Sequence, residues 1–278
     1  MSFRLDGYEF NIPRSLEDFL IQGKQKNPDV FYLSKTSEFI SRYLQLFKGR
    51  LPSHILELGL FRGGSAAFMQ LLAKPQRMLA VELTQDPLPL LDQFIVDREL
   101  TKRMHVKYGV DQADAPRLRE LVHEYLGEDR SVDLVVDDAS HLLGPTRTSF
   151  DTVFPYLRPG GSYVIEDWAA QQILCNQWLD KARNGHSSSA KIMSAGLSGG
   201  MQSDLRPLHL MAVEATLATI AAPGIIARVI VDKHWLRIVR GGKVIEDPEN
   251  FSLRAITNDQ FGLLESTPSD ILRPFLDT

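Results

Sequence analysis

Five short apolar runs are separated by segments of helical period: "HILEL" at 54–58, "MLAVEL" at 78–83, "MHVKYG" at 104–109, "VDLVVDD" at 132–138 and "GSYVIED" at 161–167. Helices are expected between them at Ser65–Leu72, 88–102, 114–127 and 146–157, the last ended by the turn "RPGG" that contains Pro159. Strands this apolar need cover on both faces, which predicts an α/β fold, a doubly wound and mostly parallel sheet. Right-handed crossovers then carry the carboxyl end of every parallel strand to one rim. After a helix at about 208–221, "IARVIVD" and "WLRIVRG" lie close enough in sequence to pair antiparallel at an edge of that sheet.

Ahead of the core, "TSEFISRYLQLFKG" repeats Phe39, Ile40, Tyr43, Leu44 and Phe47 at helical spacing before Gly49 stops the run, whereas residues 1–35 carry little pattern. The 278 residues thus divide into an N-terminal helical cap (1–50), a core (51–240) and a C-terminal extension (241–278) of one domain. The Ser- and Gly-rich stretch over 184–204 has no period and reads either as a lid over a ligand or as a plain surface loop.

The turn after the first core strand, "ILELGLFRGGSA", places Glu57, Gly59, Gly63, Gly64 and Ser65 where missing side chains would let a ligand approach the backbone. Its G-x-x-x-G spacing departs from the dinucleotide fingerprint and lacks the Gly-Lys-Ser/Thr of a phosphate-binding P-loop. Glu82 ends the next strand, where an acid in a doubly wound fold accepts the two ribose hydroxyls, and Asp111 follows the third strand on the same rim, where it could face an adenine edge.

Asp137, Asp138, Glu166 and Asp167 crowd the tips of two strands expected to be neighbours, about 4.8 Å apart. Close like charges raise carboxyl pKa values unless a cation is present, and an all-oxygen set suits Mg2+. Consecutive strand residues point to opposite faces. Glu166 and Asp167 can therefore share an ion only if the chain bends. By the same alternation Asp137 and Asp138 have separate tasks, with Asp137 left beside a ligand or in a structural hydrogen bond.

The E-x-G-x-x-x-G turn, Glu82 and "DLVVDD" together resemble class I S-adenosylmethionine-dependent methyltransferases over roughly residues 50 to 240. More narrowly, "DDASH" followed by "RTSFDTVFPYLRPGGSYVIEDW" is similar to the macrocin O-methyltransferase group, which methylates sugar hydroxyls of glycosylated natural products. That resemblance implies a seven-stranded sheet of order 3-2-1-4-5-7-6 with S-adenosylmethionine over the ends of strands 1 and 2. It further implies Mg2+ on Asp138, Glu166 and Asp167, and His141 as catalytic base. A sugar hydroxyl is a poor nucleophile at neutral pH, so removing its proton is the main task, and a histidine titrates in the useful range. A catechol-type acceptor, a non-catalytic donor-binding protein and a metal-dependent hydrolase are the alternative readings.

A net charge of -4 and scattered Lys and Arg disfavour nucleic acid as partner. No apolar run approaches the ~20 residues of a membrane span. The N-terminus lacks a signal-peptide pattern and the single cysteine, Cys175, cannot form an internal disulfide, so a cytoplasmic protein is expected. The expected partners are a glycosylated small-molecule acceptor and a second copy of the chain in a homo-oligomer.

Overall fold

A computed structural model describes residues 1–13, 29–127, 131–169, 207–259 and 264. The proposed lid at 184–204, together with Cys175 and Trp178, lies outside the described residues. A seven-stranded sheet is built from β4 (His54–Leu58), β5 (Arg77–Glu82), β6 (Met104–Tyr108), β7 (Val132–Asp137), β8 (Leu157–Glu166), β9 (Ile226–Val231) and β10 (Trp235–Arg240). Its order is β6-β5-β4-β7-β8-β10-β9, the expected 3-2-1-4-5-7-6. The first five of these strands run parallel, and β10 lies antiparallel between β8 and β9.

Two layers of helices cover the sheet, as strands this rich in apolar residues require. On one face Leu56, Leu58, Val135, Tyr163 and Ile165 pack with α4 (Ala115–Leu126), α5 (Leu143–Val153) and α6 (Leu210–Ala221). On the other, Ile55, Ala80, Leu134, Val136 and Val164 meet α1 (Ser37–Gly49), α2 (Gly64–Ala73) and α3 (Pro89–Asp97). A last short helix, α7 (Leu253–Thr257), adds Leu253 to the first core. Among the described residues no helix is long and apolar enough to cross a membrane.

Two expectations are corrected. "RPGG" does not end a helix. Pro155 closes α5 into a single 3-10 turn at Phe154–Tyr156, and Arg158–Gly161 lies inside β8. There the pairing with β7 jumps from Val132↔Leu157 to Leu134↔Ser162, a bulge in which proline's missing N–H disturbs no ladder. The described residues ahead of α1 also form strands that their pattern does not announce. β1 (Ser2–Leu5), β2 (Tyr8–Asn11) and β3 (Phe31–Tyr32) form a second, three-stranded sheet. Phe10 stacks between Phe3 and Phe31, each at 5.3 Å, and Phe31 meets Phe94 of α3 edge-on at 5.7 Å. Burying Phe10 and Phe31 is worth about 2–3 kcal/mol each, enough to dock this small sheet beside the main one. Docking carries the segment from Tyr32 to Thr36 over the rim.

Candidate active site

A cavity of about 430 Å3 opens at the carboxyl rim, within the roughly 300–1,000 Å3 typical of small-molecule sites. Its lining comes from three places: the turn after β4 (Gly59, Leu60, Phe61, Ser65), the ends of β7 and β8 (Asp138, His141, Asp167) and the N-terminal segment with the β9–β10 turn (Tyr32, Ser34, Phe39, His234).

Strand alternation sorts the acidic residues. Leu58, Asp137 and Ile165 are register partners on the face toward α4 and α5, whereas Glu57, Val136 and Val164 form the adjacent row on the face toward α1 and α2. Asp138 and Glu166, two residues beyond Val136 and Val164, fall on that second face with Glu57.

On the first face Asp137 is buried and fully engaged. It accepts from Tyr163 OH at 2.7 Å, Ser149 Oγ at 2.9 Å and Gln112 Nε2 at 3.2 Å. Burial pushes its pKa up, against those donors. It does not line the cavity, and the structural hydrogen bonds expected as one of its two tasks are present.

On the second face a lysine that the sequence reading passed over organises the carboxylates. Lys35 is 1% exposed, donates to Asp138 Oδ2 at 3.0 Å and to Glu166 Oε2, and its Nζ lies 5.8 Å from the Tyr43 ring centroid. Burial works against its charge, but Asp138, Glu166 and Glu57 together raise its pKa above the usual lysine range. Glu166 also accepts from Tyr43 OH. It therefore sits among α1 side chains and outside the cavity lining, contrary to its expected place beside Asp167. Burial raises the Glu166 pKa, while Lys35 and Tyr43 pull it back.

Asp167 takes the other course because the chain does bend. Its φ of +47° is left-handed, and its amide donates to His234 O at 2.9 Å. His141 has a φ of +54°. Left-handed backbone at non-glycine residues costs about 1–3 kcal/mol and gathers at functional sites. The ligand atoms offered by Asp138, His141 and Asp167 all lie within 4.8 Å of one another, with His141 Nε2 3.9 Å from Asp138 Oδ1. Burial and the charge of Asp138 raise the Asp167 pKa, as they do where carboxylates share a site without a cation. The two carboxylate oxygens suit a hard divalent cation, whereas the imidazole nitrogen beside them is a ligand of softer metals or a base.

The glycines of the turn make room for the chain itself, and Gly59 also lines the cavity. A Cβ on Gly59 would stand 2.4 Å from Asp138 O, and one on Gly64 would stand 2.1 Å from Tyr32 O. What these glycines admit is the protein's own backbone, the tip of β7 and the end of β3. Gly63 is the left-handed N-cap of α2, against Leu91, and is not in the cavity lining.

Glu82 ties the same turn down, accepting the amides of Leu60 at 2.8 Å, Phe61 at 2.9 Å and Thr84 at 3.1 Å. Asp111 is exposed, closes a turn by accepting Ala113 N at 2.8 Å, and stands outside the cavity. Trp168 packs against the core and donates its indole N–H to Asp232 O at 2.7 Å.

Glu57, Ser65 and the Thr36 hydroxyl at the cavity wall are buried polar groups in this region with no hydrogen bond of ordinary geometry. Glu57 is 0% exposed and lies near Ser65 and Lys35, yet neither its carboxylate oxygens nor the Ser65 hydroxyl makes a hydrogen bond of ordinary geometry. Burial pushes the Glu57 pKa up to about 7, with Lys35 opposing. Unpaired buried polar atoms are costly, and an incoming group that donates hydrogen bonds relieves the cost.

Residues 56–168, less than half of the chain, match the family model described as "Methyltransferase domain". The chain is 36% identical over 136 residues to the 8-demethyl-8-(2-methoxy-alpha-L-rhamnosyl)-tetracenomycin-C 3'-O-methyltransferase of Streptomyces olivaceus, covering 49% of this chain and 31% of that protein. It is 49% identical over 61 residues to the demethylmacrocin O-methyltransferase of Streptomyces fradiae, covering 22% and 14%. The matched region thus spans under a third of the length of either relative. Among solved structures, the MycE methyltransferase of the mycinamycin biosynthetic pathway, in complex with Mg and SAH, superposes with a TM-score of 0.51. That match has 19% identity and covers 82% of this chain and 55% of the other. At that identity the likeness shows the fold.

Proposed function

We propose, from the premise that residues 56–168 are a methyltransferase domain, that the protein is an S-adenosylmethionine-dependent O-methyltransferase acting on a sugar hydroxyl of a glycosylated small molecule. The observation that carries the reading is the meeting of Asp138, His141 and Asp167 at one cavity that also contains Ser65 and the turn after β4. A binding protein would have no use for a base and two carboxylates at that place.

The buried Glu57 carboxylate and the Ser65 hydroxyl fit the hydrogen-bond donors and acceptors of the methyl donor, and Glu82 holds the turn that positions them. When bound, the donor supplies a sulfonium methyl group that needs little further activation. Asp138 and Asp167 would hold Mg2+, which commonly takes one or two carboxylates and keeps its other positions for water or substrate oxygens. The ion, when bound, lowers the pKa of a hydroxyl lying on it. His141, at 3.9 Å from Asp138 Oδ1, is then placed to receive the proton that the acceptor hydroxyl gives up as its oxygen takes the methyl group. Its two ring nitrogens would allow it to act instead as a third ligand. The two-carboxylate set meets the needs of Mg2+ without it, and the base is the role assigned.

The test is a methyl-transfer assay over glycosylated and phenolic acceptors with and without chelator. Transfer to a sugar hydroxyl, abolished by EDTA and restored by Mg2+, is the expected result. Full activity in excess EDTA overturns the cation. Donor binding with transfer to no acceptor makes the chain a binding protein, and preference for a catechol moves the acceptor class.

A further inference from the structure

We propose that Lys35 is a positioning residue that divides the acidic cluster, drawing Glu166 out of a divalent cation's reach and leaving Asp138 with one oxygen, Oδ1, for that cation. The inference rests on the reading of Asp138 and Asp167 as cation ligands and says which of the neighbouring carboxylates is not one.

Three observations support it. The first is that Lys35 Nζ contacts both acids at once, Asp138 Oδ2 at 3.0 Å and Glu166 Oε2. The ammonium has only three donors, so a lysine so placed is committed to this pair. The second is that the two Asp138 oxygens face different partners: Oδ2 meets Lys35, and Oδ1 faces His141 Nε2 at 3.9 Å on the cavity side. The third is the enclosure of the pair. Lys35 is 1% and Glu166 2% exposed, the Tyr43 hydroxyl fills the other Glu166 oxygen, and the Phe39 and Tyr43 rings lie 6.0 and 5.8 Å from Nζ.

A buried pair with its hydrogen bonds satisfied keeps its geometry, because separating the partners leaves an uncompensated buried charge. The adjoining Asp167 is released from this arrangement by its left-handed backbone. Lys35 thus supplies, from inside the protein, the positive charge that neutralises the fourth carboxylate of the cluster. A cation then has fewer protein ligands and more positions open to an acceptor's oxygens.

The experiment is a titration with Mn2+ alone, read by the electron paramagnetic resonance of free Mn2+ and by calorimetry, on the full chain and its variants. Asp167→Asn is expected to bind at least tenfold more weakly than the unaltered protein, and Glu166→Gln within about threefold of it. Lys35→Met removes the ammonium and frees Glu166, so it is expected to bind at least tenfold more tightly. The double variant Lys35→Met/Glu166→Gln, which removes both members of the fully buried pair and leaves only the part-exposed Asp138 to be met by the cation, serves if the single variant fails to fold and is expected to lose the part of the gain that Glu166 provides. Equal losses in Glu166→Gln and Asp167→Asn overturn the proposal while leaving the cation site intact. A double variant that binds more weakly than the unaltered protein also overturns it. Absence of Mn2+ binding by the unaltered protein overturns this proposal together with the cation in the proposed function.

Discussion

Asp137 and Asp138 are consecutive residues with opposite surroundings. Asp137 is closed in by Tyr163, Ser149 and Gln112 on the α4–α5 face, where protein donors meet its carboxylate. Asp138 opens onto a cavity on the α1–α2 face, shared with His141 and Asp167 and held from behind by Lys35. Identical chemistry one residue apart is divided into structure and site by the pleat of a strand. The division predicts that substitutions on the cavity side change turnover and those on the closed side change stability.

The largest effect is expected at the cavity. Asp138→Asn and Asp167→Asn should each lower methyl transfer by about 10²–10⁴-fold, the scale on which ion and base act together, with far-UV circular dichroism unaltered. His141→Ala should lower kcat by about 10²-fold or more while donor affinity, measured by calorimetry, changes little. If turnover in His141→Ala is unchanged, the base is elsewhere and the cavity side loses its special status.

On the closed side, Asp137→Ala removes the acceptor shared by the Tyr163 hydroxyl, the Ser149 hydroxyl and the Gln112 amide, leaving them only the weaker contacts with Ser149 Oγ and Thr146 O. A loss of about 3 kcal/mol is expected, read as a lower urea midpoint with unchanged slope. Mn2+ affinity of the folded fraction should stay as it was. If Asp137→Ala folds with normal stability but binds the donor weakly, the comparison breaks, because Asp137 would then belong to the site.

The pleat was legible in the sequence and the bend was not. Fully apolar strands, their spacing and the antiparallel pair at 226–240 led to the observed sheet because each follows from local composition. Alternation also foretold that Asp137 and Asp138 would part company. It could not tell which of Glu166 and Asp167 would turn into the cavity, since that depends on a left-handed φ at Asp167 fixed by the β9–β10 turn. Lys35 left still less trace. Its partners lie 103 and 131 residues away, and a lone lysine in "FYLSKTSEF" belongs to no spacing pattern. The glycine turn was legible as a place of close approach, and the sequence could not show that the chain's own backbone at Asp138 and Tyr32 is among the groups that come close.

A smaller effect sharpens the cavity side. Ser65→Ala removes a hydroxyl that has no protein partner of ordinary geometry, so no internal hydrogen bond is broken and stability should hardly move. Donor affinity should fall about fivefold, the equivalent of one neutral hydrogen bond of about 1 kcal/mol. A stability loss without an affinity change would mean that Ser65 serves Glu57 alone.

A further effect is one of pH and belongs to the closed side. Asp151, on α5, accepts Leu253 N at 2.9 Å, and burial pushes its pKa up to about 6 against the pull of that amide and of Arg147. Its unfolded value lies near 3.8. Below the unfolded value both states are protonated and the group contributes nothing. As pH rises toward the folded value the unfolded chain ionises first, so stability falls across that window and stays lowered above it. Asn keeps the acceptor for Leu253 N and cannot ionise. Asp151→Asn should therefore match the unaltered protein near pH 3 and exceed it by about 2–3 kcal/mol at pH 8, in urea unfolding followed at both values. A gain of equal size at both pH values would assign the effect to packing instead of charge, and the closed face would then be closed by shape rather than by its cost to ions.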